Sequence, residues 1–366
     1  MIDIHTKLVM LRKKEQKTQQ DIARFIGVST AAVSKWETGQ SYPDIMILPK
    51  LANYYNISID DLLGYEPQLT KAEIQKLYHR LAEDFQNKPF KQVFEEIKEI
   101  VKEYYACFPL LMQLAVLLLN YSNISQQQTS EVFEYIANLC QRVEKNSSEL
   151  KHIQLSQTLK AQLAMLANQP QEVLNILGEQ VEPYAGNNII LAGAYQKLGQ
   201  TEKAMETYQV SLFQNIISNM AVLTNYLHMQ PFEKMQQSID YANGLIDLFE
   251  LEKLHTPSCI SFYLNATHSL LSHQEITGAL RILERYAQLI EQIELPITLH
   301  GNDYFNKIDE WIGRELDLGQ AVPRSNETIR QELLDSVKLH PAFEALHEEA
   351  DFKKIIRRIS QFLGVN

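Results

Sequence analysis

The stretch from Thr18 to Gly39, TQQDIARFIGVSTAAVSKWETG, leaves the backbone around it little freedom. Thr18 is a good helix N-cap, and Asp21, three residues on, puts a carboxylate in the first turn where the helix dipole favours it. Ile22, Ala23 and Ile26 then lay an apolar stripe along one helical face. Gly27 follows, as a turn residue with positive φ would be. Val28 is apolar and Ser29 caps a second short helix. In that helix Val33 and Trp36 face inward, and Thr30, Ala31, Ser34 and Lys35 are left outward. Ala23 is small at the crossing, so the two helix axes approach closely.

Two short helices set this tightly form a helix-turn-helix, whose second helix enters a DNA major groove about 12 Å wide. The flanks agree. IHTKLVMLRKK supplies an earlier amphipathic helix. PDIMILPKLANYYN supplies a fourth, with Pro43 near its start and Asp44 in its first turn. SIDDLLG supplies a fifth, capped by Ser58 and stopped by Gly64. Five short helices within residues 1–65 close one small core. This segment resembles the Cro/C1-type (XRE-family) helix-turn-helix domain through Leu11, Arg12, Thr18, Gln19, Ile22, Ala23, Gly27, Val28, Ser29, Val33, Ser34, Trp36, Glu37, Gly39, Pro43, Leu51, Ala52, Ile57, Leu62 and Leu63.

The resemblance implies roles position by position. Gln19 contacts phosphate and braces the recognition helix, and Ser29 donates to phosphate. Thr30, Ala31, Ser34 and Lys35 face the groove, with Lys35 the candidate for a guanine edge and Ala31 for a thymine methyl. The alternatives are that Ser34 only faces solvent and that Lys35 touches phosphate. Thr38, Gly39, Gln40 and Ser41 lie along the DNA backbone after the helix. Arg12 and Glu37 match a structural ion pair of the family. The recognition helix is short of Arg, Asn and Gln, so operator choice leans on DNA shape. Such a unit binds as a homodimer, with half-sites about 34–36 Å apart.

Charge sharpens this division. The chain of 366 residues carries a net charge of −11. Residues 1–65 hold eight Lys and Arg against seven Asp and Glu, a balance of +1, which leaves −12 to the rest. The acidic remainder holds a phosphate backbone poorly, so DNA contact belongs to the first segment. Three widely spaced cysteines, Cys107, Cys140 and Cys259, read as buried thiols of a reducing cytosol. No apolar run reaches the ~18 residues of a membrane span. The N-terminus is amphipathic rather than a signal peptide, so a cytoplasmic protein with no membrane partner is expected.

After a linker at 66–70, residues 71–320 read as antiparallel helical pairs. Breaks fall at 87–90, 107–109, 146–149, 168–172, 182–188, 197–202, 229–233, 255–258 and 272–275. NNIILAGAYQKLGQTEKAMETYQVSL resembles a tetratricopeptide (TPR) repeat through Ala192, Tyr195, Leu198, Gly199, Ala204 and Tyr208. Ala192 and Ala204 belong where the hairpin's helices cross. Ser238 and Ala279 take the same small-residue role downstream, and residues 159–180 look like a degenerate unit. Residues 321–366 are the C-terminal helices, and residues 340–366 read as two short amphipathic ones, with Phe343, Leu346, Phe352, Ile355, Ile356, Ile359 and Phe362 at helical spacing. They cap the array or dimerise it. The fold class expected is all-α: a five-helix Cro/C1-type domain followed by a TPR-like helical-hairpin superhelix.

This order of domains resembles the peptide-sensing regulators of Gram-positive bacteria (the Rgg, PlcR and NprR type). The resemblance implies a short peptide in the concave face of the array and altered operator binding. Asn188, Asn225 and Asn265, on the first helices of successive hairpins, can clamp a peptide backbone, because an amide both donates and accepts. The alternative is that they cap loops or face water. No phosphate loop, nucleophile motif or metal-ligand spacing stands out. No enzyme activity, cofactor or metal is expected. The sequence reads as a sequence-specific DNA-binding transcriptional regulator. A DNA-tethered protein-interaction adaptor and a prophage or mobile-element repressor without a small effector remain open.

Overall fold

The computed structural model describes residues 4–63, 68–122, 129–181, 186–315 and 326–365. Among them every regular element is helical and no strand forms. The expected stop at Gly64, linker residues 66–67, part of the 182–188 break and the boundary at 320–321 lie outside the described residues. The chain divides into two compact units. One comprises Met1–Ile74, Phe94–Leu118 and Ser130–Lys160, and the other Gln75–Val93, Leu119–Thr129 and Ala161–Asn366.

The first unit begins with α1 (Ile4–Lys14), α2 (Gln19–Ile26), α3 (Thr30–Glu37), α4 (Leu48–Tyr55) and α5 (Ile59–Leu63). Their buried faces meet in one core of Ile4, Leu8, Leu11, Ile22, Ala23, Ile26, Val33, Trp36, Leu51, Ala52, Tyr55 and Leu62. None of these helices exceeds 11 residues. Helices this short are marginal alone, so packing and caps hold them. Ser58 and Asp61 cap α5 reciprocally, with the Asp61 N–H donating to Ser58 Oγ at 3.0 Å. One sequence expectation needs correcting. The fourth helix starts at Leu48 with Pro49 in its first turn, five residues later than Pro43 suggested. Asp44 instead folds a turn before it, accepting from the Met46 N–H at 2.8 Å.

Next come α6 (Lys71–Asn87), α7 (Phe90–Glu103), α8 (Phe108–Tyr121), α9 (Thr129–Asn146) and α10 (Leu150–Leu166). Gln68 Nε2 donates to the Ala106 carbonyl at 2.9 Å, and the Leu69 N–H reaches Cys107 Sγ at 3.4 Å. Lys98 on α7 pairs with Glu131 on α9 at 2.8 Å, while Phe94 meets Tyr135 edge-on. Glu144 on α9 accepts from Lys160 and Ser156 on α10.

The second unit continues with α11 (Pro170–Leu177), α12 (Asn187–Lys197), α13 (Thr201–Tyr226), α14 (Phe232–Phe249), α15 (Leu251–Leu254), α16 (Thr256–Ser272), α17 (Ile276–Ile290), α18 (Ile308–Glu315), α19 (Asn326–Lys338) and α20 (Ala350–Leu363). The tightest pairs are α12 with α13 and α16 with α17. Ala192, Ala204, Ser238 and Ala279 are all buried. The hairpin turn at Gly199 takes φ +71°, which glycine adopts without strain. Stacked helical hairpins bury their core between neighbours, and here one apolar cluster runs from Val210 to Leu363.

Three features depart from the sequence reading. Helix α13 runs 26 residues without interruption, because nothing between Thr201 and Tyr226 breaks it. Residues 291–307 form no helix. The first C-terminal element, Pro341–Leu346, is a 3₁₀ turn. Helix α20 packs on α17 and α19 through Phe352, Ile355, Ile359 and Leu363, and Phe362 is 49% exposed. Arg358 fastens α20 with two hydrogen bonds to Glu284 on α17, at 2.7 and 2.8 Å, and two to Glu291, at 2.9 and 2.8 Å.

The α16–α17 crossing is tight. Ala279 is fully buried, and a Cβ added at neighbouring Gly278 would lie 3.3 Å from Leu270. Ala279→Leu should therefore destabilise the unit by roughly 1–3 kcal/mol through overpacking. Thermal unfolding followed by far-UV circular dichroism reads this, and an unchanged midpoint would show that the crossing has slack.

Candidate nucleic-acid interface and cavities of the helical body

Helix α2 is fixed at both ends by its own sequence. Thr18 and Asp21 form a capping box: the Asp21 N–H donates to Thr18 Oγ1 at 3.2 Å and the Thr18 N–H to Asp21 Oδ2 at 2.9 Å. The Thr18 hydroxyl, donating to Asp21 Oδ2 at 2.7 Å, and then the Thr18 N–H hold the Asp21 pKa below the usual carboxylate range. Gly27 closes the helix at φ +85°. Ser29 caps α3, accepting from the Ala32 N–H at 3.2 Å.

The orientation of α3 depends on one polar cluster. Arg12 Nε donates to Glu37 Oε1 at 2.6 Å and Arg12 Nη2 to Glu37 Oε2 at 2.8 Å. Gln19 Nε2 adds a bond to Glu37 Oε2 at 2.9 Å, and Arg12 Nη1 donates to the Lys17 carbonyl at 3.0 Å. Residues from α1, α2 and α3 thus meet at one carboxylate. The Glu37 side chain is only 5% exposed. Burial pushes its pKa up, but the bonds from Arg12 and Gln19 outweigh burial and hold it below the ordinary glutamate value. The bond to Glu37 likewise raises the Arg12 pKa.

With Val33 and Trp36 buried, α3 turns its other face outward. Ser29, Thr30, Ala31 and Lys35 are exposed, and Ser34 is half-buried. Thr38 and Gln40 are exposed and Ser41 half-buried, just beyond the helix. Their backbone wraps the helix end: the Gln40 and Ser41 N–H groups reach the Lys35 carbonyl at 2.9 and 3.3 Å. Thr38 Oγ1 donates to the Ser34 carbonyl at 2.9 Å. Gln19 is half-buried and its amide is engaged by Glu37. These side chains form one continuous polar surface around an eight-residue helix.

The three asparagines do not share a site. Asn188 lies on α12 and lines a cavity of about 440 Å³ with Tyr195, Lys203, Gln214, Trp311 and Arg314. Asn265 lies on α16 and lines another, about 470 Å³, with Leu264, Ile329, Glu332 and Leu333. Asn225 sits near the end of α13, so it does not open a new hairpin. Asn225 and Asn265 each donate to their own helix, to the Ala221 and Ser261 carbonyls at 2.8 and 2.9 Å. The Asn265 carbonyl also meets His228 Nε2 at 3.0 Å. Tyr195, Lys203 and Trp311 were missed as site residues because α18 reaches α13 only by tertiary packing. The link is Gln209, which holds the Lys307 N–H at 2.8 Å and Asn306 at 3.1 Å.

The cysteines are buried and free, and burial pushes the Cys140 and Cys259 thiols up to about 12. Among the described residues, no group of three or more His, Cys, Asp or Glu is placed to hold a metal. No described helix is long and apolar enough to cross a membrane.

Residues 8–62 match the family described as Helix-turn-helix. The chain is 35% identical over 74 residues to the HTH-type transcriptional activator BcrR of Enterococcus faecalis, covering 20% of this chain and 36% of that protein. It is 39% identical over 61 residues to the cryptic phage CTXphi transcriptional repressor RstR of Vibrio cholerae, covering 17% of this chain and 54% of that protein. It is 31% identical over 93 residues to the HTH-type transcriptional regulator ImmR of Bacillus subtilis, covering 25% of this chain and 66% of that protein. The matched segment thus spans from about a third to just under two thirds of these relatives. Among solved structures, the apo form of ComR from S. thermophilus covers 80% of this chain and 94% of its own, at 15% identity and a TM-score of 0.29. That likeness is too weak to carry function.

The Glu37 cluster has a pH signature. The folded-state pKa lies below the unfolded one, so the stabilisation is complete above about pH 4.3 and fades as pH falls through the lower folded value. Glu37→Gln should lower stability at neutral pH by roughly 1–3 kcal/mol. It should also flatten the acid limb of a stability–pH profile. Urea titrations following Trp36 fluorescence in a Trp311→Phe background test this. Equal acid slopes for the two proteins would contradict the charged pairing.

Proposed function

Residues 8–62 belong to the helix-turn-helix family, and from that premise we propose that the chain is a sequence-specific DNA-binding transcriptional regulator. The observation that carries the reading is the outward face of α3, held in fixed orientation by Arg12, Gln19 and Glu37. Residues 1–65 are the DNA-binding domain, 66–70 its linker, 71–320 a TPR-like domain and 321–366 the capping or dimerising helices. On an operator, Thr30, Ala31, Ser34 and Lys35 face the major groove. Ser29, Gln19, Thr38, Gln40 and Ser41 follow the phosphates, and Arg12 and Glu37 stay structural. The Glu37 bond uses one N–H of the Gln19 amide for bracing and leaves the other to donate to a phosphate oxygen.

The helical body dimerises the chain on a two-fold operator and takes a short peptide that alters operator affinity. Support for the peptide comes from the Asn188 cavity, whose lining combines amides, two aromatic rings and both signs of charge. A spent-medium peptide pool, added to purified chain and operator, tests it. No change in affinity or mass would leave the body to dimerisation or to a protein partner.

The DNA reading is tested by selecting bound sequences from a random duplex pool with the full chain, then titrating the enriched site. Lys35→Ala should weaken binding with fold and dimer intact. If Lys35 reads a guanine edge, the loss is roughly 1–3 kcal/mol and base preference relaxes at one position. If it contacts phosphate, all sequences weaken alike and the salt slope falls by about 1. Unchanged affinity at matched salt would remove Lys35 from the interface.

A further inference from the structure

The second unit contains a cationic pocket that the DNA and peptide readings leave unused. It opens between the end of α19 and α20, encloses about 440 Å³, and is lined by Lys338, Leu339, His347, Phe352, Lys353, Ile356 and Arg357. Its floor is apolar. Phe352 is buried at 3% exposure, His347 stacks on its ring at 5.5 Å, and Leu339 stands at the rim 65% exposed.

Several cations elsewhere in this unit are matched to carboxylates: Lys307 with Glu202, Arg314 with Glu206, Arg285 with Asp247, and Arg358 with Glu284 and Glu291. Within the pocket Lys353 holds Glu348 at 2.9 Å, but the glutamate side chain is 96% exposed, so the pair is weak. Lys338 and Arg357 enter no ion pair or hydrogen bond among the described residues. Two unmatched permanent cations therefore flank an apolar floor, in a chain whose net charge is −11.

We propose that this pocket binds an organic carboxylate on an apolar stem. Arg357 offers the planar fork that fits a carboxylate with two parallel bonds, and Lys338 adds a point charge. The stem lies over Phe352, Ile356 and Leu339, where removing apolar surface from water supplies the remaining affinity. A neutral or cationic ligand would leave both cations unmatched. The carboxylate can come from a medium-chain fatty acid or from the free C-terminus of a peptide with an apolar last residue. The site is separate from the Asn188 and Asn265 cavities, and it does not depend on the DNA reading.

The test is titration calorimetry on the full chain with three probes: sodium decanoate, an N-acetylated leucine tripeptide with a free carboxylate, and the same peptide amidated. The Lys338→Gln/Arg357→Gln double variant removes the charge at two exposed positions, and Leu339→Ser removes apolar surface at the rim without touching the core, which should weaken whichever carboxylate probe binds. Circular dichroism confirms that the variants fold. The expected result is binding of at least one carboxylate probe, no binding of the amide, and a loss of roughly tenfold or more in the double variant. Decanoate binding alone identifies the fatty-acid source, and tripeptide binding alone the peptide terminus. Absence of binding by both carboxylates, or equal affinity in the double variant, overturns the proposal. So does a drop in molecular mass of the double variant without probe binding, which would make the patch a contact between two copies.

Discussion

Everything that α3 presents to the outside depends on the carboxylate of Glu37. An eight-residue helix has no stable existence alone. The apolar grip of Val33 and Trp36 fixes its depth in the core but constrains its rotation less. The bidentate bond from Arg12 adds direction, because a guanidinium fork accepts a carboxylate in few orientations. Gln19 then ties the first residue of α2 to the last residue of α3. A partly buried pair of this kind is a modest source of net stability, since desolvation offsets much of its attraction. Its contribution is to specify one geometry for the two helices, which recognition of a groove requires.

The helical body solves a different problem. Its hairpins bury apolar surface only against their neighbours, so the last one would leave a face bare. Helix α20 covers α17, and its apolar residues match that face. Arg358 makes the covering directional. Glu284 and Glu291 stand seven positions apart, two helical turns, and one guanidinium spans both. Those bonds raise the Arg358 pKa and lower that of Glu291. Small residues at the crossings are the complementary requirement: Ala192, Ala204 and Ala279 let helices approach where a larger side chain would hold them apart.

Local chemistry was legible in the sequence wherever it was sufficient. Thr18 with Asp21, Gly27 and Ser29 specify caps and a turn without outside help, and their geometry follows the pattern closely. Helix breaks marked by Pro, Gly or Asn, such as Asn87–Phe90 and His255–Ser258, coincide with helix boundaries among the described residues. Failures occurred where two local signals competed. Pro43 and Pro49 both suit a first turn, and the core position of Leu51 selects Pro49. The loop over 291–307 carries turn signals of its own in Pro296, Gly301, Asn302 and Asp303, so that break was legible in the sequence. The asparagines failed for a further reason. An amide on a helix can satisfy itself on its own backbone four residues back, as Asn225 and Asn265 do, and sequence spacing does not reveal that. The cavity around Asn188 needed α18, about a hundred residues away, and only tertiary structure supplies it.

The distribution of charge bears on where nucleic acid would bind. DNA affinity arises largely from cations that are free to replace the counterions on phosphate, each contact contributing about 0.9 to the salt exponent. A cation already held by a carboxylate contributes little, because binding must break that pair. In the body, Lys98, Lys160, Arg285, Lys307, Arg314 and Arg358 are so held, whereas Lys338 and Arg357 are not, among the described residues. In the first segment, Arg12 is held, whereas Lys14, Lys17 and Lys35 enter no ion pair among the described residues and are exposed. Lys14 and Lys17 flank the start of α2, whose unsatisfied N–H groups favour an anion at the same place. The formal balance of +1 across residues 1–65 therefore understates their capacity for phosphate, because the relevant quantity is the number of exposed, unpaired cations.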